Sequence, residues 1–253
     1  MVQPLPQPDG TLGGASAVDA ARAAALNEAY GTLPAEEVLR LSLTALFPGK
    51  IALVSSFGAE SAVLLHMAAT IDRAVPVVFI DTDRLFPETL AYRDTLIARL
   101  GLTEVRSVGP DPETMEAADP YGALFSIDPD RCCQLRKVEP LAEALAPFAA
   151  WITGRKRYQA ATRTTLRVFE ADATHIKVSP LATWGAGELV AYLREHDLPR
   201  HPLVAKGYPS IGCAPCTSPV AEGEDARAGR WRGQAKTECG IHVSNAGVTR
   251  RSA

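Results

Sequence analysis

The stretch that most constrains the fold is residues 51–69, which read as a strand, a turn of small residues and a helix. Residues 51–54 form a short apolar run typical of a buried strand, and residues 62–69 are an apolar helical segment. Between them lies the sequence SSFGAES, residues 55–61. Because a helix N-terminus exposes backbone N–H groups and the positive end of its dipole, this unit predicts a phosphate-binding turn. The alternative is an ordinary strand-to-helix turn with a serine N-cap.

Further strands and helices alternate along the chain. Strands are predicted at 76–80, 104–108, 150–153 and 176–178. Helical patterns cover 18–30, 34–47, 87–100, 131–146 and 184–196, whereas the acidic, turn-rich residues 111–130 are predicted to form a surface loop. This alternation indicates an α/β fold with a doubly wound, mostly parallel sheet. Polar residues 81–83 follow the second strand, at the edge where open α/β sheets bind ligands.

The length of 253 residues suits one large α/β domain with an appendage. We expect a disordered lead at residues 1–17, a domain at residues 18–220 and a mobile C-terminal tail at residues 221–253. The tail has little core periodicity, which is typical either of disorder or of an active-site lid.

Charge and composition narrow the function classes. The net charge of −3 gives no general attraction to nucleic acid or anionic membranes. Basic residues cluster at 155–163 and 227–236, which predicts a local anionic ligand. No apolar run approaches the roughly 20 residues of a membrane span, and the N-terminus does not resemble a secretory signal. We therefore expect a cytoplasmic protein with reduced cysteines.

Four of the five cysteines form two pairs, Cys132–Cys133 and Cys213–Cys216. If the pairs meet in space, they can hold either a zinc ion or a [4Fe–4S] cluster. Adjacent cysteines favour the cluster, because two neighbouring side chains reach two corners of one tetrahedron poorly, whereas a cubane offers each thiolate its own iron. A redox dithiol at the C-x-x-C and a pair of buried core thiols are the alternatives.

The fifth cysteine, Cys239, lies in the sequence KTECGIH and has no obvious cysteine partner. We interpret it as a nucleophile, because Lys236, His242 and upstream arginines supply positive charge that favours a thiolate. The alternative is a free surface thiol in a disordered tail.

Together these motifs resemble the phosphoadenylyl-sulfate/adenylyl-sulfate reductase family, specifically its iron–sulfur adenylyl-sulfate (APS) reductases of sulfate assimilation. The matching stretches run from Ser55 to His242 and comprise SSFGAES, DTDRLFPETL, CCQLRKVEPL, GRKRYQAATR, KVSPLATW, HPLVAKGYPSIGCAPCT and KTECGIH. The resemblance implies an adenine-nucleotide α-hydrolase-like fold. It also implies reduction of APS to sulfite and AMP, with thioredoxin as the electron donor.

The resemblance also implies roles for individual residues. Cys239 would be the nucleophile, with Lys137 and His242 as further catalytic residues. The expected ligands of a [4Fe–4S] cluster are Cys132, Cys133, Cys213 and Cys216, with Lys137 between cluster and substrate. The expected substrate contacts are Ser55, Ser56, Gly58, Arg163, Arg227 and Arg230.

Three alternatives remain at the level of sequence. The enzyme could use the 3′-phosphorylated substrate (PAPS) or both substrates, although the four paired cysteines favour APS. It could be a PP-loop ATP pyrophosphatase, whose usual SGGxDS loop is only loosely matched by SSFGAES. It could also be a non-enzymatic iron–sulfur or zinc redox sensor, which would leave the KTECGIH tail unexplained. The sequence leaves homo-oligomerisation open.

Overall fold

The computed structural model describes residues 15–172, 174–234 and 236–242, with side chains from residue 19 to residue 241. Over these residues the chain forms a six-stranded sheet with helices. The strands are β1 (Ile51–Ser55), β2 (Val77–Ile80), β3 (Val105–Val108), β4 (Ala150–Thr153), β5 (Phe169–Ala171) and β6 (Ile176–Val178).

The strand order is β3-β2-β1-β4-β6-β5, and every neighbouring pair is parallel except β5 with β6. In the centre, Leu53 of β1 lies opposite Val77 of β2 and Ile152 of β4. The predicted α/β class with a mostly parallel sheet is confirmed. The antiparallel edge strand β5 was not predicted, because only one of its three residues, Phe169, is buried.

The sheet is covered on both faces, as a parallel sheet requires. Ile51 and Leu53 belong to the larger apolar core. Ala52 points to the other face and packs in a smaller cluster with Val78 and Trp151. Alternate residues of β1 therefore belong to different cores, which explains why the whole strand reads as a continuous apolar run.

The helices are α1 (Ala15–Tyr30), α2 (Ala35–Leu41), α3 (Ser61–Ile71), α4 (Pro87–Leu100), α5 (Pro112–Ala118), α6 (Leu124–Ile127), α7 (Pro129–Cys133), α8 (Glu139–Leu145) and α9 (Ala186–Glu195). A π-helical stretch, Ser42–Leu46, continues α2, and a second, Gln134–Val138, joins α7 to α8. The predicted helix 131–146 is therefore the end of α7, this stretch and α8. Because α1 begins at Ala15, the expected disordered lead is wrong at residues 15–17, while residues 1–14 lie outside the described residues.

The predicted surface loop at 111–130 is wrong, because it contains α5, α6 and the start of α7. Asp111 accepts a hydrogen bond from the Thr114 amide, and Asp128 accepts one from the Arg131 amide. Each aspartate is an N-cap followed by a proline at the first helical position. The Asp-Pro pairs were start signals, but the acidic composition concealed them.

After α9 the helical elements of the described chain are short 3₁₀ turns, at Pro202–Lys206, Ala214–Cys216 and Gly240–His242. This region nevertheless packs, since Leu203, Ile211, Cys213 and Trp231 are all buried. Within the described residues, no helix is long and apolar enough to cross a membrane.

We predict that His201 makes the folding stability fall in mild acid. Its imidazole is buried, contacts the Thr89 hydroxyl at 3.1 Å and accepts a hydrogen bond from the Leu203 amide. Burial lowers the pKa of His201 to about 4. The imidazole therefore binds a proton near pH 6.5 in the unfolded chain but not in the folded chain. As a result, about 1–3 kcal/mol of folding stability is lost as the pH falls from 6.5 to 4.

Denaturant unfolding of the wild type and His201→Asn at pH 8, 7, 6 and 5 checks this prediction. Asparagine keeps an acceptor at this N-cap position but has no titrating group. The wild type should be more stable at pH 8, and the difference should shrink as the pH falls. A difference that stays constant across this range would contradict the prediction.

Candidate functional site

A cavity of about 250 Å³ opens at the carboxyl ends of the central strands. Ser55, Ile80 and Thr153 mark the ends of β1, β2 and β4 at its wall. The predicted site residues that it brings together are Ser55, Ser56, Gly58, Lys137, Arg163, Arg227, Arg230 and Cys239. The His242 side chain lies outside the described residues. Residues from five separate stretches of the chain thus line one cavity.

The turn after β1 holds a fixed and unusual conformation. Phe57 has a positive φ of 45°, which is rare for a bulky side chain. Its ring is fully buried and packs edge-on against Phe79, and its amide donates a hydrogen bond to Ser55 Oγ at 3.1 Å. Packing of the ring therefore stabilises a turn that presents Ser56 and Gly58 to the cavity.

The alternative of a serine N-cap on α3 is wrong. The N-cap position is occupied by Glu60, which makes no capping hydrogen bond, and Ser61 is already the first helical residue. The Ser61 amide donates to the Gly58 carbonyl at 3.2 Å, but no side chain caps this end of α3, which lies at the cavity wall. The arrangement fits the predicted phosphate-binding turn.

Glu60 instead joins the turn to the loop that follows β4. Its carboxylate accepts from the Lys156 ammonium at 2.7 Å, from the Gln159 amide at 2.8 Å and from the Tyr158 hydroxyl. Burial alone would raise the pKa of Glu60, but Lys156 and these donors outweigh it and hold the pKa below its usual range. Sequence analysis missed Glu60, although it lies in the SSFGAES turn, and it missed Lys156 within the GRKRYQ stretch.

Two of the three predicted arginines share one carboxylate from the C-terminal segment. Arg163 Nε lies 2.8 Å from Glu238 Oε1 and Arg163 Nη2 lies 2.9 Å from Glu238 Oε2. Arg227 Nη2 lies 3.1 Å from Glu238 Oε2. Glu238 was not predicted, although its place next to Cys239 was a signal.

Arg230 and Lys137 have no carboxylate within ion-pair distance among the described residues. Arg230 donates to the Ile211 carbonyl at 3.2 Å and stacks on the Trp231 ring at 4.5 Å. The described lining contains six cationic side chains and only two carboxylates, those of Glu60 and Glu238. An anionic ligand would lower the repulsion among these cations.

The four paired cysteines converge on a second, smaller cavity beside the first. Cys132, Cys133, Cys213 and Cys216 line it, and all four are free thiols. Within the described residues, no group of three or more His, Cys, Asp or Glu side chains is arranged to hold one metal ion. The four cysteines thus share one cavity.

Polar side chains lie around this cysteine cavity. The buried indole N–H of Trp231 has no partner among the described residues, and Trp231 lines the cavity. Thr82 Oγ1 lies 3.2 Å from Cys213 Sγ. Lys137 lines both cavities. An unpartnered donor fits a group that carries acceptor atoms, such as inorganic sulfide.

Cys239 lies in the larger cavity and interacts electrostatically with Lys137 and Cys133. Burial alone would lower the pKa of Lys137, but Cys213, Cys239 and Cys133 outweigh it and raise that pKa. On the C-terminal side, a Cβ added at Gly240 would come within 3.0 Å of Val138, and Ile241 packs on the smaller apolar cluster. The alternative of a free surface thiol does not agree with this placement.

Residues 50–219 match the family model described as the phosphoadenosine phosphosulfate reductase domain. The chain belongs to the phosphoadenosine phosphosulfate reductase family. It is therefore an oxidoreductase that acts on a sulfur group, and the resemblance read from the sequence is confirmed.

Relatives within this reductase family are named for two different substrates. An adenosine 5′-phosphosulfate reductase of Mesorhizobium japonicum is 53% identical over 244 residues, 96% of this chain and 96% of that protein. A phosphoadenosine 5′-phosphosulfate reductase of Gloeobacter violaceus is 44% identical over 214 residues, covering 83% of this chain and 89% of that protein.

Solved structures agree with the family assignment. A phosphoadenylyl-sulfate reductase of Candida auris, in a phosphate complex, is 30% identical with a TM-score of 0.65, covering 78% of this chain and 96% of that chain. A Candida glabrata FMN adenylyltransferase, at 17% identity and a TM-score of 0.52 over 78% of this chain and 71% of that one, shares the fold alone.

We predict that Gly212→Ala weakens anion binding in this reductase without unfolding it. An added Cβ would lie 2.2 Å from Arg230 Nη2, so the flexible guanidinium must move. Loss of a charge-assisted contact worth roughly 1.5–3 kcal/mol should weaken AMP binding about ten- to a hundredfold. Calorimetric titration with AMP measures this change.

The matched control is Gly187→Ala, where an added Cβ meets nothing within 4 Å. That variant should bind AMP like the wild type. Unfolding midpoints should show a stability change below about 1 kcal/mol for both variants. Unchanged AMP affinity in Gly212→Ala would show that Arg230 does not contact the anion.

Proposed function

We propose that this reductase converts APS to sulfite and AMP, with thioredoxin as the reductant and an S-sulfocysteine on Cys239 as the intermediate. One observation carries the proposal: Cys239 lines the same cavity as the turn after β1 and as Arg163, Arg227 and Arg230. This arrangement supports the proposal, because the proposed nucleophile would lie among groups able to bind anions. Relatives named as APS reductases support the choice of substrate.

In the proposed reaction the Cys239 thiolate attacks the sulfur of the substrate's sulfate group. A bond forms between the Cys239 sulfur and the sulfate sulfur. The bond between the sulfate sulfur and the oxygen that bridges it to the phosphate breaks, and its electron pair leaves with AMP. A thioredoxin thiolate then attacks the Cys239 sulfur and expels sulfite. The second thioredoxin thiol resolves the mixed disulfide, so the two electrons come from the thioredoxin dithiol.

The chain's own residues lower the cost of bringing an anionic nucleophile to an anionic substrate. Ser55, Ser56, Gly58, the start of α3 and the arginines would bind the phosphate of the nucleotide. The arginines and Lys137 would balance the negative charge that the sulfate group and Cys239 bring together. We assign His242 a catalytic contact with the substrate. Residues 221–253 would act as the catalytic tail on the 18–220 domain, in a cytoplasmic enzyme.

The cysteine cavity fits a [4Fe–4S] cluster, because both cysteine pairs line it and an unpartnered indole N–H among the described residues borders it. Cys132, Cys133, Cys213 and Cys216 would hold the cluster. When bound, it would supply a charged, polarisable group beside Lys137. Lys137 would extend this influence to the larger cavity, since it lines both.

The use of PAPS remains the second candidate, because the Gloeobacter relative is named for that substrate and is 44% identical. A sulfite-release assay with APS, PAPS and ATP in parallel separates the candidates. The proposal requires sulfite from APS, whereas ATP consumption without sulfite would indicate a pyrophosphatase.

We predict that anaerobically purified protein is brown and contains about four irons and four sulfides per chain. Four thiolates on one cavity give each iron of a cubane one protein ligand. Iron and acid-labile sulfide analysis measures the content. A colourless protein with one zinc per chain would contradict the assignment.

We predict that Cys239→Ser abolishes sulfite release and retains the iron. A serine hydroxyl is not ionised at neutral pH and cannot form a thiosulfonate, whereas the expected cluster ligands lie on other segments. Wild-type protein given APS without thioredoxin should gain the mass of one SO₃ group on the Cys239 peptide, and reduced thioredoxin should remove it.

The matched comparison is Cys216→Ser. This variant should lose iron, although its Cys239 thiol is still present. Sulfite release by Cys239→Ser, or an adduct on Cys213 or Cys216, would show that Cys239 is not the nucleophile. The C-x-x-C pair would then have to be interpreted as a redox dithiol.

A further inference from the structure

Glu238 occupies the two arginines that the proposed reaction assigns to the substrate. Its carboxylate accepts two hydrogen bonds from Arg163 and one from Arg227, at 2.8, 2.9 and 3.1 Å. The side chains involved are mostly buried, with exposed fractions of 10% for Arg163, 15% for Glu238 and 17% for Arg227. A two-oxygen anion on a fork of guanidinium donors has the geometry with which proteins bind sulfate and phosphate.

We propose that Glu238 is an internal anion that fills this subsite until the substrate's anionic group displaces it, and that it thereby determines which anions can bind. The inference rests on the proposed function, because Arg163 and Arg227 must be substrate contacts. Glu238 is a positioning residue, since it acts on the substrate through these arginines and on Cys239 through the backbone that joins the two neighbouring residues.

Displacement would have different consequences for different anions. An inorganic sulfate or phosphate ion gains only the arginine contacts, and it must overcome a carboxylate tethered in place at high effective concentration. A nucleotide with a second anionic group also gains the contacts of the turn after β1. Glu238 would therefore reject free sulfate and phosphate more strongly than the adenylylated substrate.

The same contact would control the segment that carries Cys239. Arg227 Nη2 also donates to the Thr237 carbonyl at 3.0 Å, so this arginine binds the backbone as well as the side chain of the segment. Loss of the Glu238 contacts would leave residues 236–239 held on their N-terminal side by the Arg227–Thr237 hydrogen bond and the Lys236–Asp130 ion pair, whose aspartate is largely exposed. Binding of the substrate's anion would thus loosen the segment next to the nucleophile.

The test compares Glu238→Gln with Glu224→Gln in the full-length, anaerobically purified protein. Glutamine keeps the shape of Glu238 and removes its charge. Glu224 lies in the same C-terminal tail and pairs with Arg232 at 2.9 Å outside the cavity. The control variant therefore removes an equal charge. Inorganic sulfate affinity is measured by its competition with AMP.

Glu238→Gln should bind sulfate about three- to tenfold more tightly than the wild type, because a neutral acceptor competes less strongly than a charged one. Glu224→Gln should match the wild type, and Glu238→Asp should restore weak sulfate binding because it restores the charge. Unchanged or weaker sulfate binding in Glu238→Gln would overturn the inference and make Glu238 a structural anchor.

A measurement on the wild type alone does not depend on the folding of any variant. Saturating sulfate should increase amide hydrogen exchange in residues 236–239, whereas unchanged or slower exchange there would overturn the inference. Sulfite release from APS by the wild type reports separately on the proposed function. If sulfite is released but the sulfate affinities do not change as expected, the role of Glu238 fails and the reaction stands.

Discussion

The ion pair between Glu60 and Lys156 joins the two loops on which the site depends. β1 and β4 are parallel neighbours, so the loops that follow them leave the sheet at the same edge. Parallel pairing brings the loops together but does not determine their mutual orientation. The 2.7 Å contact does so, with the Lys156 side chain only 3% exposed. A buried ion pair of this kind is costly to break from either side, because the remaining charge stays buried.

The cationic side chains of the cavity outnumber the carboxylates that could neutralise them. Burial lowers the pKa of Arg227 and of Lys156, which shows that their charges are held at a cost. One carboxylate serves both Arg163 and Arg227, and Arg230 relies on a carbonyl and an aromatic ring. The cavity is thus preorganised for negative charge, and folding itself supplies the free energy that holds the cations close together.

Local sequence patterns predicted most strands and the site motifs, but not the long-range ion pairs. Strand patterns located β1, β2, β3, β4 and β6, and the sequence motifs identified residues that the fold brings to one cavity. The ion pairs were not predictable in this way, because Glu60 and Lys156 are 96 residues apart and Arg163 and Glu238 are 75 apart. Strand order makes Glu60 and Lys156 neighbours, and packing of the C-terminal segment brings Glu238 to Arg163. β5 was missed because only one of its residues is buried, and the helices within residues 111–130 were missed because of their acidic composition.

The two sides of Cys239 are held by forces of different kinds. On the N-terminal side, the contacts of Glu238 are electrostatic, and any anion that reaches Arg163 can compete with them. On the C-terminal side, Gly240 fits closely against Val138 and Ile241 packs in an apolar cluster, contacts that an anion does not weaken. An arriving anion would therefore release one side only. Cys239 could then turn about an anchored end, which would keep the thiol close to the cavity while its orientation changes.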